Sequence, residues 1–237
     1  MSAITRLGIC YLGSSLVKIL LVPKWFKTII AIFLLPICFG GAVALWKLAR
    51  RIGEADVVWV AALAGGGCWL AIYLLLPKPM WVYVFGHELT HALWTWLLGG
   101  RVKKFKASSQ GGHVVVTKSN FLVALAPYFF PLYAMLVVLL FVSGHWLWNW
   151  RSYLVWFHLL LGAAYGFHVT LTWHILKSEQ SDIADQGYLF SAVVIFLGNM
   201  LVLLIGLPFL TGKMDTLTAL RLWAESTGAV VRWLVRL

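Results

Sequence analysis

Long apolar runs separated by short polar intervals dominate the chain. Six of these runs are each about 20 residues long, enough for a helix to cross the hydrocarbon core of a bilayer. Charged residues, proline or glycine bound each run. The pattern therefore predicts an all-α polytopic membrane protein with six membrane-spanning helices, at residues 28–49, 57–77, 80–98, 121–143, 152–176 and 187–211.

The two ends of the chain have different patterns. Residues 7–22 form an apolar run interrupted by Lys18, which fits either a seventh span or a segment lying in the interface. Near the C-terminus, arginines and a glutamate alternate with apolar residues, as in an amphipathic helix at a membrane surface. We expect a single integral membrane domain over 1–237, with N-terminal helices in 1–78, a core in 79–211 and an amphipathic C-terminal helix in 212–237.

A polar interval at residues 99–120 interrupts the apolar pattern. Two short runs flank Gly111-Gly112, and the second is rich in β-branched valine, which predicts a β-hairpin. The hairpin is either a plain structural loop or an edge on which an extended substrate adds as a strand. In the second case its substrate-binding residues include Val114, Val115 and Val116. Asn120 is a further candidate for substrate contact, with a bond between helices as its alternative.

The composition agrees with a membrane protein and excludes a nucleic-acid-binding one. The chain is 62% hydrophobic and 11% charged, whereas soluble domains are about 45–50% apolar and about 25% charged. Its formal net charge is +11, but the basic residues lie in short loops, where positive charge sets topology and meets anionic lipid. No basic face with interleaved base-stacking groups is present, so the lipid bilayer is the expected partner.

Three ionisable residues interrupt the third apolar run. His87 and His91 are four residues apart, so on a helix both imidazoles project from one face and are able to share a metal ion. Glu88 completes an HExxH pattern, in which the glutamate is the general base and does not bind the metal. Insertion of a carboxylate deep into a bilayer costs about 2.5–3.5 kcal/mol of free energy, unless the group has a partner or lies in a water-filled cavity. The pattern predicts one bound zinc ion, with Glu88 as catalytic residue.

Two imidazoles leave such a zinc site one protein ligand short. The chain has eight acidic residues, and outside the basic loop and the tail the remaining candidates cluster at the start of the last long apolar run. They are Glu179, Asp182 and Asp185. Because these residues precede that run while the histidines are near mid-membrane, the segment that carries the ligand must dip inward, which is tolerated where backbone is buried in protein or lines a cavity.

At three places the sequence resembles the site-2 proteases, a family of intramembrane zinc metallopeptidases. "FGHELTHALW" (85–94) is similar to their zinc-binding helix, and "GGHVVVTKSN" (111–120) to their membrane-associated β-hairpin. "LAPYFFP" (125–131) is similar to the proline-containing start of their next core helix. The resemblance spans residues 79–211 and is closest to a bacterial branch.

The resemblance implies a function and a third ligand. In that family the third ligand is an aspartate on a later core helix, and "QSDI" makes Asp182 our first choice, with Asp185 second. The implied activity is zinc-dependent hydrolysis of peptide bonds in or near transmembrane segments of other proteins, in a multi-pass protein of the bacterial inner membrane. The alternative is a non-catalytic metal-binding scaffold or transport module, which has no need of Glu88.

Overall fold

The computed structural model describes residues 9–11, 22–54 and 56–236, and helices dominate it. The elements in chain order are β1 (Ile9–Tyr11), α1 (Lys24–Ile52), α2 (Asp56–Leu75), α3 (Met80–Leu97), β2 (Val102–Ser108), β3 (Gly111–Val116), α4 (Phe121–Phe129), α5 (Leu132–Trp148), a 3₁₀ turn (Trp150–Tyr153), α6 (Leu154–Leu176), α7 (Ser181–Gln186), α8 (Tyr188–Thr211) and α9 (Thr216–Val235). The predicted all-α class with a β-hairpin is confirmed.

Fewer helices qualify as membrane spans than the six or seven predicted. Among the described residues, four helices are long and apolar enough: Lys24–Ile52, Val57–Leu75, Trp150–Leu176 and Tyr188–Thr211. A fifth is added if α4 and α5, bent by 74° at their junction, form one broken span. α3 is not among them, because its 18 residues include the polar groups of the HExxH pattern.

The seventh predicted segment, residues 7–22, lies largely outside the described residues. The part that is described, Ile9–Tyr11, is a strand.

The surface of the helices is suited to lipid. Large apolar side chains stand exposed along several of them, including Phe33, Leu75 and Trp146, whose exposed fractions are 78%, 81% and 84%. Soluble monomers rarely expose extended apolar patches, because water disfavours them. With the long apolar helices, this surface identifies a multi-pass integral membrane protein.

The chain folds into two compact units. One contains β1 and residues Val57–Asp185, and the other contains Val22–Asp56 and Gln186–Leu237. In the second unit α1, α8 and α9 pack together. The amphipathic helix α9 lies close against α1 there, since a Cβ added at Gly40 would be only 2.1 Å from Thr227 Oγ1.

In the first unit, α2 and α6 approach closely through glycines. A Cβ added at Gly65 would lie 1.8 Å from the carbonyl oxygen of Leu159, and one at Gly162 would lie 1.9 Å from that of Ala62. Trp69 Nε1 also donates a 2.8 Å hydrogen bond to Thr170 Oγ1 across this interface. Small residues at the interface let two apolar helices pack at backbone distance, which is the usual way to join helices in a membrane.

The predicted hairpin is part of a three-stranded sheet in the order β1-β3-β2. β2 and β3 are antiparallel, while β1 pairs with β3 in parallel, with Ile9 opposite Val114 and Tyr11 opposite Val116. β3 is therefore the central strand. The outer edge of β2 has no strand against it among the described residues.

α4 ends at a sharp break. Asn120 caps its N-terminus, because the side-chain oxygen accepts a 2.9 Å hydrogen bond from the amide of Val123. Pro127 lies in its last turn and Pro131 comes two residues after its end, and a proline has no amide hydrogen with which to continue a helix. The chain bends by 74° before α5.

Candidate metal centre

α3 carries the two histidines on one face, as their spacing predicts. The ring centroids of His87 and His91 are 4.8 Å apart. The exposed fractions of the two residues are 4% and 0%. Gly86, directly before His87, allows α5 to pack against this turn, since a Cβ there would meet Tyr133 at 2.6 Å. The helix therefore holds both imidazoles in a closely packed interior.

The third member of the cluster comes from α7. Asp182 lies in the first turn of this short helix and is 4% exposed, whereas Asp185 and Glu179 are exposed. The side-chain amide nitrogen of Gln180, just before it, is paired locally, because Nε2 donates to Ser178 Oγ at 2.8 Å and to the carbonyl of Ile175 at 3.3 Å. These two bonds lower the cost of burying this amide N–H group beside Asp182.

His87, His91 and Asp182 form a compact donor set. Asp182 Oδ2 lies 3.3 Å from His91 Nε2 and 3.6 Å from His87 Nε2. One ligand atom from each of the three residues lies within 4.8 Å of the others, and no second group of this kind occurs among the described residues. Two imidazoles and one carboxylate that converge in this way are the ligand types of a catalytic zinc site.

Neighbouring groups orient two of these side chains. The Nδ1 atom of His91 lies 2.8 Å from the carbonyl oxygen of Val123, and a hydrogen bond from Nδ1–H leaves Nε2 as the metal-binding atom. Tyr128 donates a 3.3 Å hydrogen bond to Asp182 Oδ2. Its ring also lies edge-on to His87, with centroids 5.2 Å apart. These partners fix ring and carboxylate orientation before any metal binds.

The electrostatic environment favours an ionised aspartate. Burial alone would raise the pKa of Asp182, but the imidazoles of His91 and His87 outweigh this effect and hold the pKa below its ordinary value. An ionised carboxylate is the form that binds a metal cation. The donor set therefore fits a divalent cation such as zinc.

Glu88 lies beside the cluster and against the sheet. It is completely buried. A Cβ added at Gly112 in β3 would lie 2.7 Å from Glu88 Cγ and 2.9 Å from Glu88 Oε1. Only a glycine lets the hairpin backbone approach the glutamate so closely, so the hairpin forms one wall of the site.

The predicted substrate-binding residues are arranged around β3. Val114 and Val116 have side chains that are fully buried, and Val115 is half-buried. β2 pairs with β3 on one side and β1 on the other, so both edges of β3 are paired. The side-chain oxygen of Asn120 caps α4, and its contact with a substrate stays a prediction.

Comparison with known proteins agrees with the geometry. A family model described as Peptidase M50B-like matches residues 58–176, which is half of the 237-residue chain. The chain belongs to this family. The match includes the HExxH helix, the hairpin and α4, and it ends before Asp182. Membership supports the resemblance to site-2 proteases. Among curated proteins and solved structures, none matches the chain.

Sequence reasoning missed several groups of this site. Tyr128 and the carbonyl of Val123 belong to a run whose pattern indicates only an apolar helix. Gly112 was expected to serve the hairpin turn, whereas its position requires close contact with Glu88. His168 on α6 also belongs to these groups, because it lines the same cavity as His87. No local pattern identifies any of the four, because each role depends on a contact between distant segments.

Proposed function

We propose that the chain is a zinc-dependent endopeptidase that hydrolyses peptide bonds in or near membrane-spanning segments of other proteins, in the bacterial inner membrane. The observation that carries the proposal is the buried set of His87, His91 and Asp182 with Glu88 beside it. Membership in the Peptidase M50B-like family supports it. One zinc ion, held by the two imidazoles and the carboxylate, would supply Lewis-acid polarisation of a carbonyl and a water acidic enough to react near neutral pH.

The side chains of the protein have separate tasks in this reaction. Glu88 accepts the proton of the attacking water and later delivers it to the leaving amine, which is the role of a general base that becomes a general acid. Burial excludes bulk water from this exchange and keeps the carboxylate close to its target. Tyr128 and the carbonyl of Val123 hold Asp182 and His91 in place, so little reorganisation is needed during turnover.

We further propose that the sheet binds the substrate. A helical peptide must unwind before hydrolysis, because helical hydrogen bonds shield its carbonyls, and an extended segment can then add to a sheet edge. A substrate strand can pair with β3, which contains Val114, Val115 and Val116, only if β1 is displaced from it. A substrate strand can pair with the outer edge of β2 without displacing another strand. Either position brings the peptide to the sheet that contacts Glu88 through Gly112.

Two measurements on detergent-purified protein test this function. Zinc stoichiometry should be one per wild-type chain, lost in Asp182→Ala and retained in Glu88→Gln. Cleavage is then sought as new protein N-termini in membranes that contain wild-type protein, with Glu88→Gln as the matched control that keeps the metal. Zinc-free wild-type protein, or identical N-termini with both proteins, would contradict the proposal. A metal-loaded protein without cleavage products would favour the scaffold alternative.

A further inference from the structure

A small cavity of about 20 Å³, with room for about one water-sized group, lies beside His87 at the break between α4 and α5. Its walls come from three places: α3 with His87, the bent α4–α5 junction with Phe130 and Leu132, and α6 with His168. Irregular backbone at such a break is tolerated at membrane depth where it lines a cavity. The cavity is largely apolar, so its few polar groups decide what it binds.

Most polar side chains of the cavity already have partners. The hydroxyl of Thr90 donates to the carbonyl of Gly86 at 2.8 Å, within its own helix. The hydroxyl of Tyr133 donates to the carbonyl of Val82 at 2.5 Å. The hydroxyl of Tyr83 is 3.5 Å from Thr172 Oγ1. These three groups are directed to the protein itself, which leaves the two histidines to face a ligand.

His168 is the exception among these groups. It is 7% exposed, and its Nε2 atom is buried with no hydrogen-bond partner among the described residues. Buried polar atoms are nearly always hydrogen-bonded in folded proteins, so an orphaned imidazole nitrogen in a cavity wall requires an explanation. His87, the other imidazole, belongs to the candidate metal centre.

We propose that His168 binds the substrate, by donating a hydrogen bond from Nε2–H to the carbonyl oxygen of the peptide bond that is cleaved. The inference rests on the proposed function, since it takes the reacting carbonyl to lie next to His87. A neutral imidazole has one donor nitrogen, and a peptide carbonyl is an acceptor with no competing donor in the apolar cavity. The surrounding Phe130, Leu132 and Phe167 favour an apolar residue beside that bond.

The rest of the cavity is consistent with this role. The cavity lies at the 74° bend between α4 and α5, and residues on both sides of the bend line it. A carbonyl oxygen that enters this small cavity meets the proposed metal ligand His87 on one wall and His168 on another. A donor aimed at a carbonyl whose negative charge grows during the reaction stabilises the transition state more than the bound substrate.

The experiment uses full-length, zinc-loaded protein and acetohydroxamic acid, a small zinc-binding probe with a carbonyl oxygen. Affinity for the probe and zinc content are measured for wild type, His168→Phe and His168→Gln. Phenylalanine keeps the ring without a donor, and glutamine retains an N–H. The matched control is His158→Phe, because His158 is a buried histidine of the same helix that does not line the cavity.

His168→Phe should keep its zinc and bind the probe about tenfold more weakly, the loss of one hydrogen bond. His168→Gln should recover part of the affinity, and His158→Phe should match wild type. Equal affinity in His168→Phe and wild type, or loss of zinc from His168→Phe, overturns the role of His168 and leaves the proposed function intact. Zinc-free wild-type protein overturns both.

Discussion

Replacement of Gly112 by alanine tests whether the hairpin positions the general base. The added methyl carbon would lie 2.7 Å from Glu88 Cγ and 2.7 Å from the carbonyl oxygen of Lys106. The carbonyl belongs to β2, which pairs with β3 through its backbone and cannot yield easily. Relief of both contacts therefore requires Glu88 to move and the hairpin backbone to shift, and both changes displace Glu88 from its position against the sheet.

The size of the effect follows from these distances. Relief of the contact from 2.7 Å to the ordinary range that begins at 3.4 Å requires the glutamate to shift by several tenths of an ångström. Misplacement of a reacting group by 1 Å costs on the order of 10²-fold in rate. We expect Gly112→Ala to lower kcat by roughly 10- to 100-fold, about 1.4–2.7 kcal/mol in activation free energy.

The assay measures kcat and zinc content for wild type and Gly112→Ala. Its substrate is a protein identified by the new N-termini that cleavage produces. Zinc should stay at the wild-type level, because the three atoms nearest the added methyl group belong to Glu88 and Lys106 and not to a proposed ligand. Gly67→Ala is the control, since nothing lies within 4 Å of a Cβ at that position. Unchanged kcat in Gly112→Ala would refute the claim that the hairpin wall positions Glu88.

Three further predictions concern the ligands and the helix packing. Asp182→Asn should lose zinc by elemental analysis while Asp185→Asn keeps it, because only Asp182 is buried against the imidazoles; equal zinc content in both would rule out Asp182 as the ligand. Tyr128→Phe removes the hydrogen bond to Asp182 and should weaken zinc binding by about 10- to 100-fold in a chelator competition; wild-type affinity would mean that the tyrosine only packs. Gly162→Ala should force α2 away from α6 and lower the thermal unfolding midpoint, with a loss of about 1–3 kcal/mol in the free energy of unfolding. Gly206→Ala is its control, since nothing lies within 4 Å of a Cβ there. Equal midpoints for the two variants would contradict the close approach of the two helices.

The sequence predicted the class and the HExxH helix correctly, but it overcounted the spans. Apolar runs alone suggested that α3 and the α4–α5 region each cross the bilayer. In the structure, the polar residues of the HExxH pattern interrupt the apolar sequence of α3, which does not qualify as a span. Pro127 and Pro131 flank the bend between α4 and α5. Hydropathy measures the apolar content of a run and not its direction, so a bent segment and a straight one look alike.

The sequence by itself determined what depends on neighbours along the chain: the apolar helices, and the two imidazoles that a period of 3.6 residues places on one face. Only the tertiary structure placed Asp182, and not Asp185, beside the two imidazoles, placed Gly112 against Glu88 and brought His168 to the cavity beside His87. Each of these depends on packing between segments that are far apart in the chain. The pattern of neighbouring residues does not contain the distances between such segments, because the packing of the helices sets those distances.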